Sequence, residues 1–129
     1  MPEDGLDIQA FTKTLNELLV LSALRGGARH GYQIALDLEE RSRGLVSFQH
    51  GTLYPILHRL EGEDLIEGDW EKDGGRRRKV YTLTASGRRH LAEQSERCRT
   101  IFRGLDRLLI GEADDESVRD GPEAGRRPA

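Results

Sequence analysis

The residues best suited to chemistry in this chain are cations, gathered in one place. Gly74-Gly75 is followed at once by Arg76, Arg77, Arg78 and Lys79, and with Lys72, Arg88 and Arg89 these oppose only Glu71 and Asp73, a local charge of +5 between Glu71 and His90. Guanidinium and ammonium groups at this density neutralise phosphates; the counterions released give affinity and salt dependence without choosing a sequence. By itself such a turn is more often a solvated loop. What raises the reading to a nucleic-acid contact is the helix that precedes it.

That helix is expected over Thr52–Glu63, where Leu53, Ile56, Leu57 and Leu60 recur at i, i+3, i+4 and i+7 and leave Tyr54, Pro55, His58, Arg59 and Gly62 on the opposite face. The outer face carries little acid and fits a major groove, with the first turns nearest the base edges. Thr52 and Tyr54 lead as base or phosphate contacts, and Arg59 suits neutralisation of the backbone. Other chemistry finds little footing. His30, His50, His58 and His90 lack a cysteine or carboxylate at ligand spacing and read as surface histidines, so no metal is expected. Asp37, Glu39 and Glu40 read as a wet helix face and Glu61, Glu63 and Asp64 as a helix end; neither set forms a catalytic pair, and no nucleophile stands beside a base. No enzyme and no cofactor are expected.

The elements that must position these residues follow from periodicity. Residues 1–10 are polar and form a flexible lead-in. A helix over Phe11–Leu24 is apolar nearly all round, with Leu15, Leu18 and Leu19 among its residues, so it requires cover on more than one side. Gly26 and Gly27 end it, and a second helix spans about Gly31–Arg43, burying Ile34, Ala35 and Leu38. Pro55 is tolerated if the third helix begins near Thr52, because the first four amides lack helical acceptors. Ile66–Glu71 and Lys79–Leu83 alternate as strands of a hairpin around Asp73-Gly74-Gly75. Thr84 then caps a long last helix in which Leu91, Ser95, Cys98, Phe102, Leu105 and Leu109 keep the spacing of a coiled-coil seam. Three helices, a hairpin and a long helix make a mainly α fold with a small β-hairpin, a winged helix-turn-helix over 11–84 with a dimerisation helix over 85–110.

The net charge of −3 argues against a nucleic-acid partner only until the charges are located. Residues 111–129 hold six acids against three bases and form a flexible acidic tail, which leaves the remaining body neutral and the basic run concentrated within it. The longest apolar run, Leu18–Leu21, cannot span a bilayer. No apolar stretch near Met1 follows a basic start, so a cytoplasmic protein without membrane contact is expected. Cys98 is the single cysteine and suits the role of a small buried hydrophobe.

Three runs carry a resemblance: His30-Gly31-Tyr32-Gln33-Ile34, then Gly51-Thr52-Leu53-Tyr54-Pro55-Ile56-Leu57-His58-Arg59-Leu60-Glu61, then Gly74-Gly75-Arg76-Arg77-Arg78-Lys79-Val80-Tyr81-Thr82-Leu83-Thr84. Together, over about Leu15–Leu109, they resemble the PadR family of transcriptional regulators, in the shorter branch with one C-terminal helix. The resemblance implies a homodimer held by the first and last helices. It would bind double-stranded DNA at an inverted repeat and repress until a small-molecule effector binds. It also places DNA contacts at Tyr32, Thr52, Tyr54 and the wing residues Gly74 to Lys79. Some short relatives sandwich aromatic drugs between tryptophans of the final helix; here that helix has none, and Trp70 lies on a wing strand. The competing expectation is a winged helix that docks an acidic protein through its basic wing.

Overall fold

In the computed structural model, residues 6–111 are described; residues 1–5 of the expected lead-in and the flexible tail expected over 111–129, apart from Gly111, lie outside them. The elements are α1 (Ile8–Ala23), β1 (Arg29–His30), α2 (Gly31–Arg41), α3 (His50–Gly62), β2 (Ile66–Asp73), β3 (Arg76–Leu83) and α4 (Ala85–Ile110). The chain divides into two compact units, and the division falls inside α4, between Gln94 and Ser95.

Element boundaries differ from the periodic expectation where local hydrogen bonding takes over. Helix α1 starts at Ile8 rather than Phe11 because the Asp7 carboxylate accepts from the amides of Gln9 (3.1 Å) and Ala10 (3.2 Å), an N-cap upstream of the apolar stripe. Helix α2 stops at Arg41, two residues early: the Gly44 amide donates to Glu39 O (2.8 Å) and Arg43 to Glu40 O (3.1 Å). Arg43 and Gly44 both take positive φ, 55° and 85°, a left-handed closure in which glycine is at ease. Helix α3 begins at His50, two residues before the expected start, capped by Gln49, whose carbonyl accepts from Thr52 and Leu53. Pro55 therefore sits deeper than the first turn and costs α3 one backbone hydrogen bond there. Burial of Leu53, Ile56, Leu57 and Leu60 on either side of it compensates.

The hairpin is longer than expected. Strands β2 and β3 run to the turn itself, pairing from Ile66↔Leu83 out to Asp73↔Arg76. Gly74 and Gly75, at φ 60° and 85°, form a two-residue turn open only to residues that tolerate the left-handed region. The sheet also has a third strand, giving the antiparallel order β1-β3-β2, with Arg29 opposite Tyr81 and His30 opposite Val80. Two residues are too few to leave an alternating pattern, so only the tertiary pairing discloses β1.

Within residues up to 94, Val20, Leu21, Leu24, Ile34, Leu53, Leu57, Leu60 and Ile66 are the fully buried centre of the core. The start of α4 is fixed as expected by Thr84, whose hydroxyl accepts from the Gly87 amide (2.9 Å) and donates to Asp64 O (2.7 Å). Gly87 packs directly on the Leu65 carbonyl.

The seam residues divide by exposure. Leu18, Leu91 and Cys98 are buried in the single chain, whereas Leu15, Leu19, Ser95 and Leu105 are half-buried and Phe102 and Leu109 are exposed. Heptad-like spacing serves packing inside one chain and packing across a dimer equally well. Burial raises the Cys98 thiol above its usual range, which keeps it protonated and unreactive at neutral pH.

Candidate nucleic-acid interface

Thr52, Tyr54 and His58 stand exposed on the outer face of α3, and no acid lies in its first turn. The structure joins this face to the start of α2. Gly31 opens α2, and a Cβ there would come within 2.8 Å of the Tyr54 hydroxyl and 3.0 Å of its ring. Glycine is thus what lets Tyr54 lie across the first turn of α2, the turn that also carries Tyr32, which is 60% exposed. His30 precedes Gly31 and is half-buried, a departure from the expected surface role. Its backbone amide donates to Gln33 Oε1 at 2.8 Å, and its Nδ1 lies 2.8 Å from the same oxygen. This brace fixes the α2 start under Tyr54. His50 meets Tyr54 edge-on at 5.6 Å. Its contribution was hidden in the sequence because a helix starting at Thr52 leaves no i, i+4 relation between the two.

Two cations expected to meet phosphates are engaged within the chain. Arg59 Nε donates to Glu17 Oε2 at 2.7 Å, tying α3 to α1, and Lys79 Nζ donates to Glu61 Oε1 at 3.0 Å, tying β3 to α3. Helical and strand periodicity gave both residues an outward bearing, but neither period shows the carboxylate that a neighbouring element brings up. The hydrogen bond to Glu61 raises the Lys79 pKa, which holds the ammonium charged well above neutral pH.

Arg76, Arg77 and Arg78 remain exposed on β3, and Gly74 and Gly75 are exposed at the tip. The register puts Trp70 opposite Lys79 and Lys72 opposite Arg77, on one face, and Glu71 opposite Arg78 on the other. On the first face the Arg77 guanidinium lies 4.7 Å from the Trp70 ring centre and Lys79 Nζ lies 5.7 Å from it, a cation–π arrangement on an indole that is 58% exposed. Among the described residues no group of three His, Cys, Asp or Glu is placed to hold a metal ion. No described helix is long and apolar enough to cross a membrane.

Helices α1 to α3, a three-stranded sheet and a basic β2–β3 wing define a winged-helix protein. The family model for PadR-like transcriptional regulators matches residues 20–93, more than half of the chain. The chain belongs to the PadR-like family of transcriptional regulators, whose members regulate transcription and are not enzymes. It is 34% identical over 84 residues to the transcriptional regulator Rv3488 of Mycobacterium tuberculosis, covering 65% of this chain and 62% of that one. The crystal structure of a PadR family regulator from Eggerthella lenta matches with a TM-score of 0.68 at 29% identity, over 81% of this chain and 89% of that one. Bacillus subtilis PadR in complex with operator DNA matches with a TM-score of 0.59 at 31% identity, over 62% of this chain and 46% of that one.

Proposed function

We propose that this chain is a sequence-specific DNA-binding repressor, acting in the cytoplasm as a homodimer on an inverted-repeat operator and released by a small-molecule effector. The observation that carries the DNA-binding reading is the joint presentation of Tyr54, Thr52 and Tyr32 around Gly31, on an acid-free helix start, with the arginine wing on the same compact unit. The similarity to a PadR solved on its operator supports it. In this reading α3 enters the major groove and specifies, while Arg76 to Arg78 supply affinity along the phosphates or the minor groove. Two half-sites lie about one helical turn apart, roughly 34 Å between centres.

The test is a titration of the purified protein against DNA from upstream of its own gene, with scrambled competitor, at two salt concentrations. A preference of ~1000-fold or more supports a specific regulator. Equal, salt-sensitive affinity for both DNAs refutes specificity, and no binding at either salt shifts the reading to a protein-docking module.

Division of labour gives a second expected result. Arg77→Ala should weaken binding to operator and scrambled DNA alike and flatten the slope of log K against log salt by about one unit. A change in sequence preference instead would place base reading in the wing.

Dimerisation has its own readout. Phe102, Leu108 and Leu109 leave an apolar stripe on the second half of α4, with Leu109 87% exposed. A stripe of this kind on a charged helix suits burial against a second copy. Leu109→Glu should leave the fold intact and convert a sedimenting dimer to a monomer. An unchanged dimer would put the interface elsewhere.

A further inference from the structure

Beyond Val80 the wing loses its third strand: β1 pairs only with Tyr81 and Val80, so from Lys79 and Trp70 outward it is a two-stranded ribbon. Such a ribbon is marginal by itself, and nothing in its own ladder fixes its angle to α3. On this ribbon Lys79 is gripped by another element, held by Glu61 from the final turn of α3. Gly68 makes room for that grip. A Cβ at Gly68 would lie 2.5 Å from Lys79 Cε and 3.1 Å from both Glu61 Oε2 and Tyr81 Cε1. Lys79 in turn lies against Trp70, and Trp70 carries Arg77. An unbroken series of contacts thus runs from the recognition helix to an arginine near the wing tip.

We propose that Glu61, Lys79 and Trp70, over the gap left by Gly68, form a positioning clip that fixes the wing as a whole relative to α3, and that this register, which no single wing arginine carries, confers operator discrimination. Lys79 is then a positioning residue rather than a phosphate contact. The proposal rests on the DNA-binding reading above. It also explains an acid placed beside a phosphate-seeking wing, where charge alone would disfavour it. Because one partner of the ion pair is acidic, positioning and simple electrostatics predict opposite signs. Removing Glu61 by charge logic alone frees Lys79, tightens DNA binding and steepens the salt slope. Removing it by positioning logic weakens operator binding.

The experiment compares wild type, Glu61→Gln, Lys79→Met and the double variant for affinity to operator and scrambled DNA. Steady-state anisotropy of Trp70, the only tryptophan in the sequence, is followed in the DNA-free protein. Both groups of the pair are partly exposed, so melting temperatures should move by no more than a few degrees. The clip predicts that each single variant lowers the operator-to-scrambled ratio about tenfold and that the double variant loses no more than either single one, the signature of one coupled unit. Trp70 anisotropy should fall in all three. Tighter operator binding by Glu61→Gln, or additive effects in the double variant, would overturn the proposal. So would an unchanged anisotropy, and that measurement judges the clip even if the wild-type protein shows no operator preference, a result that sinks the DNA reading separately.

Discussion

Tyr54→Ala is expected to weaken operator binding by about 10- to 100-fold while leaving affinity for scrambled DNA nearly unchanged, the scale of one good base-edge or oriented phosphate contact. The reason lies in how Tyr54 is held. Its ring rests on the first turn of α2, where Gly31 leaves no Cβ, and His50 meets its edge, so the side chain is oriented before any partner arrives. An oriented aromatic loses little conformational entropy on binding, and its removal subtracts that advantage together with the contact. Tyr54→Phe separates the two contributions, since it keeps the ring over Gly31 and loses only the hydroxyl. Gly31→Ala provides the complementary control: its Cβ would press the Tyr54 hydroxyl aside and should reproduce part of the loss without touching Tyr54 chemically. Fluorescence-polarisation titrations with labelled operator and scrambled duplexes read all three. Equal loss on both duplexes would make Tyr54 a general phosphate contact, and no loss on either would remove α3 from the interface.

The largest effect on stability is expected at Gly87. Glycine to alanine on a helix usually stabilises, by about 0.5–1 kcal/mol, because alanine surrenders less backbone entropy on folding. At Gly87 the sign should reverse. The added Cβ would overlap the Leu65 carbonyl oxygen and also crowd Leu83 Cδ2 at 3.1 Å, and the carbonyl is backbone rather than the end of a flexible side chain. Leu65 is further tied by its carbonyl, which accepts from Thr84, and by its amide, which donates to Leu60 O. Relief would require moving α4 away from the base of the hairpin, at the expense of the Thr84 cap. A loss of about 3 kcal/mol is the scale of an overpacked core site, and for a domain of this size each kcal/mol lowers Tm by about 4–8 °C. Thermal unfolding followed by circular dichroism decides the matter; a Tm equal to or above wild type would show that the close approach yields easily.

Much of this protein was legible in its residues. Leu53, Ile56, Leu57 and Leu60 at helical spacing disclosed both the buried face of α3 and, by subtraction, the exposure of Tyr54 and His58. Gly74-Gly75 before a run of arginines disclosed the wing, because a glycine pair makes a two-residue left-handed turn without strain. The Thr84 cap likewise declared itself by residue type. These features are local: a period, a turn or a cap depends on residues a few positions apart, and the chain's own geometry enforces it.

What tertiary structure decided is everything that joins residues distant in sequence. Strand β1 exists only because β3 offers it an edge. Arg59 and Lys79 have outward positions by period, yet Glu17, 42 residues away, and Glu61, 18 residues away, take their charges, and in each pair the two partners lie on different elements, so no single helix or strand period links them. The same holds for Gly31 and Gly68, whose missing side chains matter only for what another element places above them, Tyr54 in one case and the Glu61–Lys79 pair in the other. Composition and spacing therefore determined which residues face outward and where positive charge collects. Packing between elements determined which of those charges stay available, because an ion pair or a close contact depends on distance in space, and no local period encodes it.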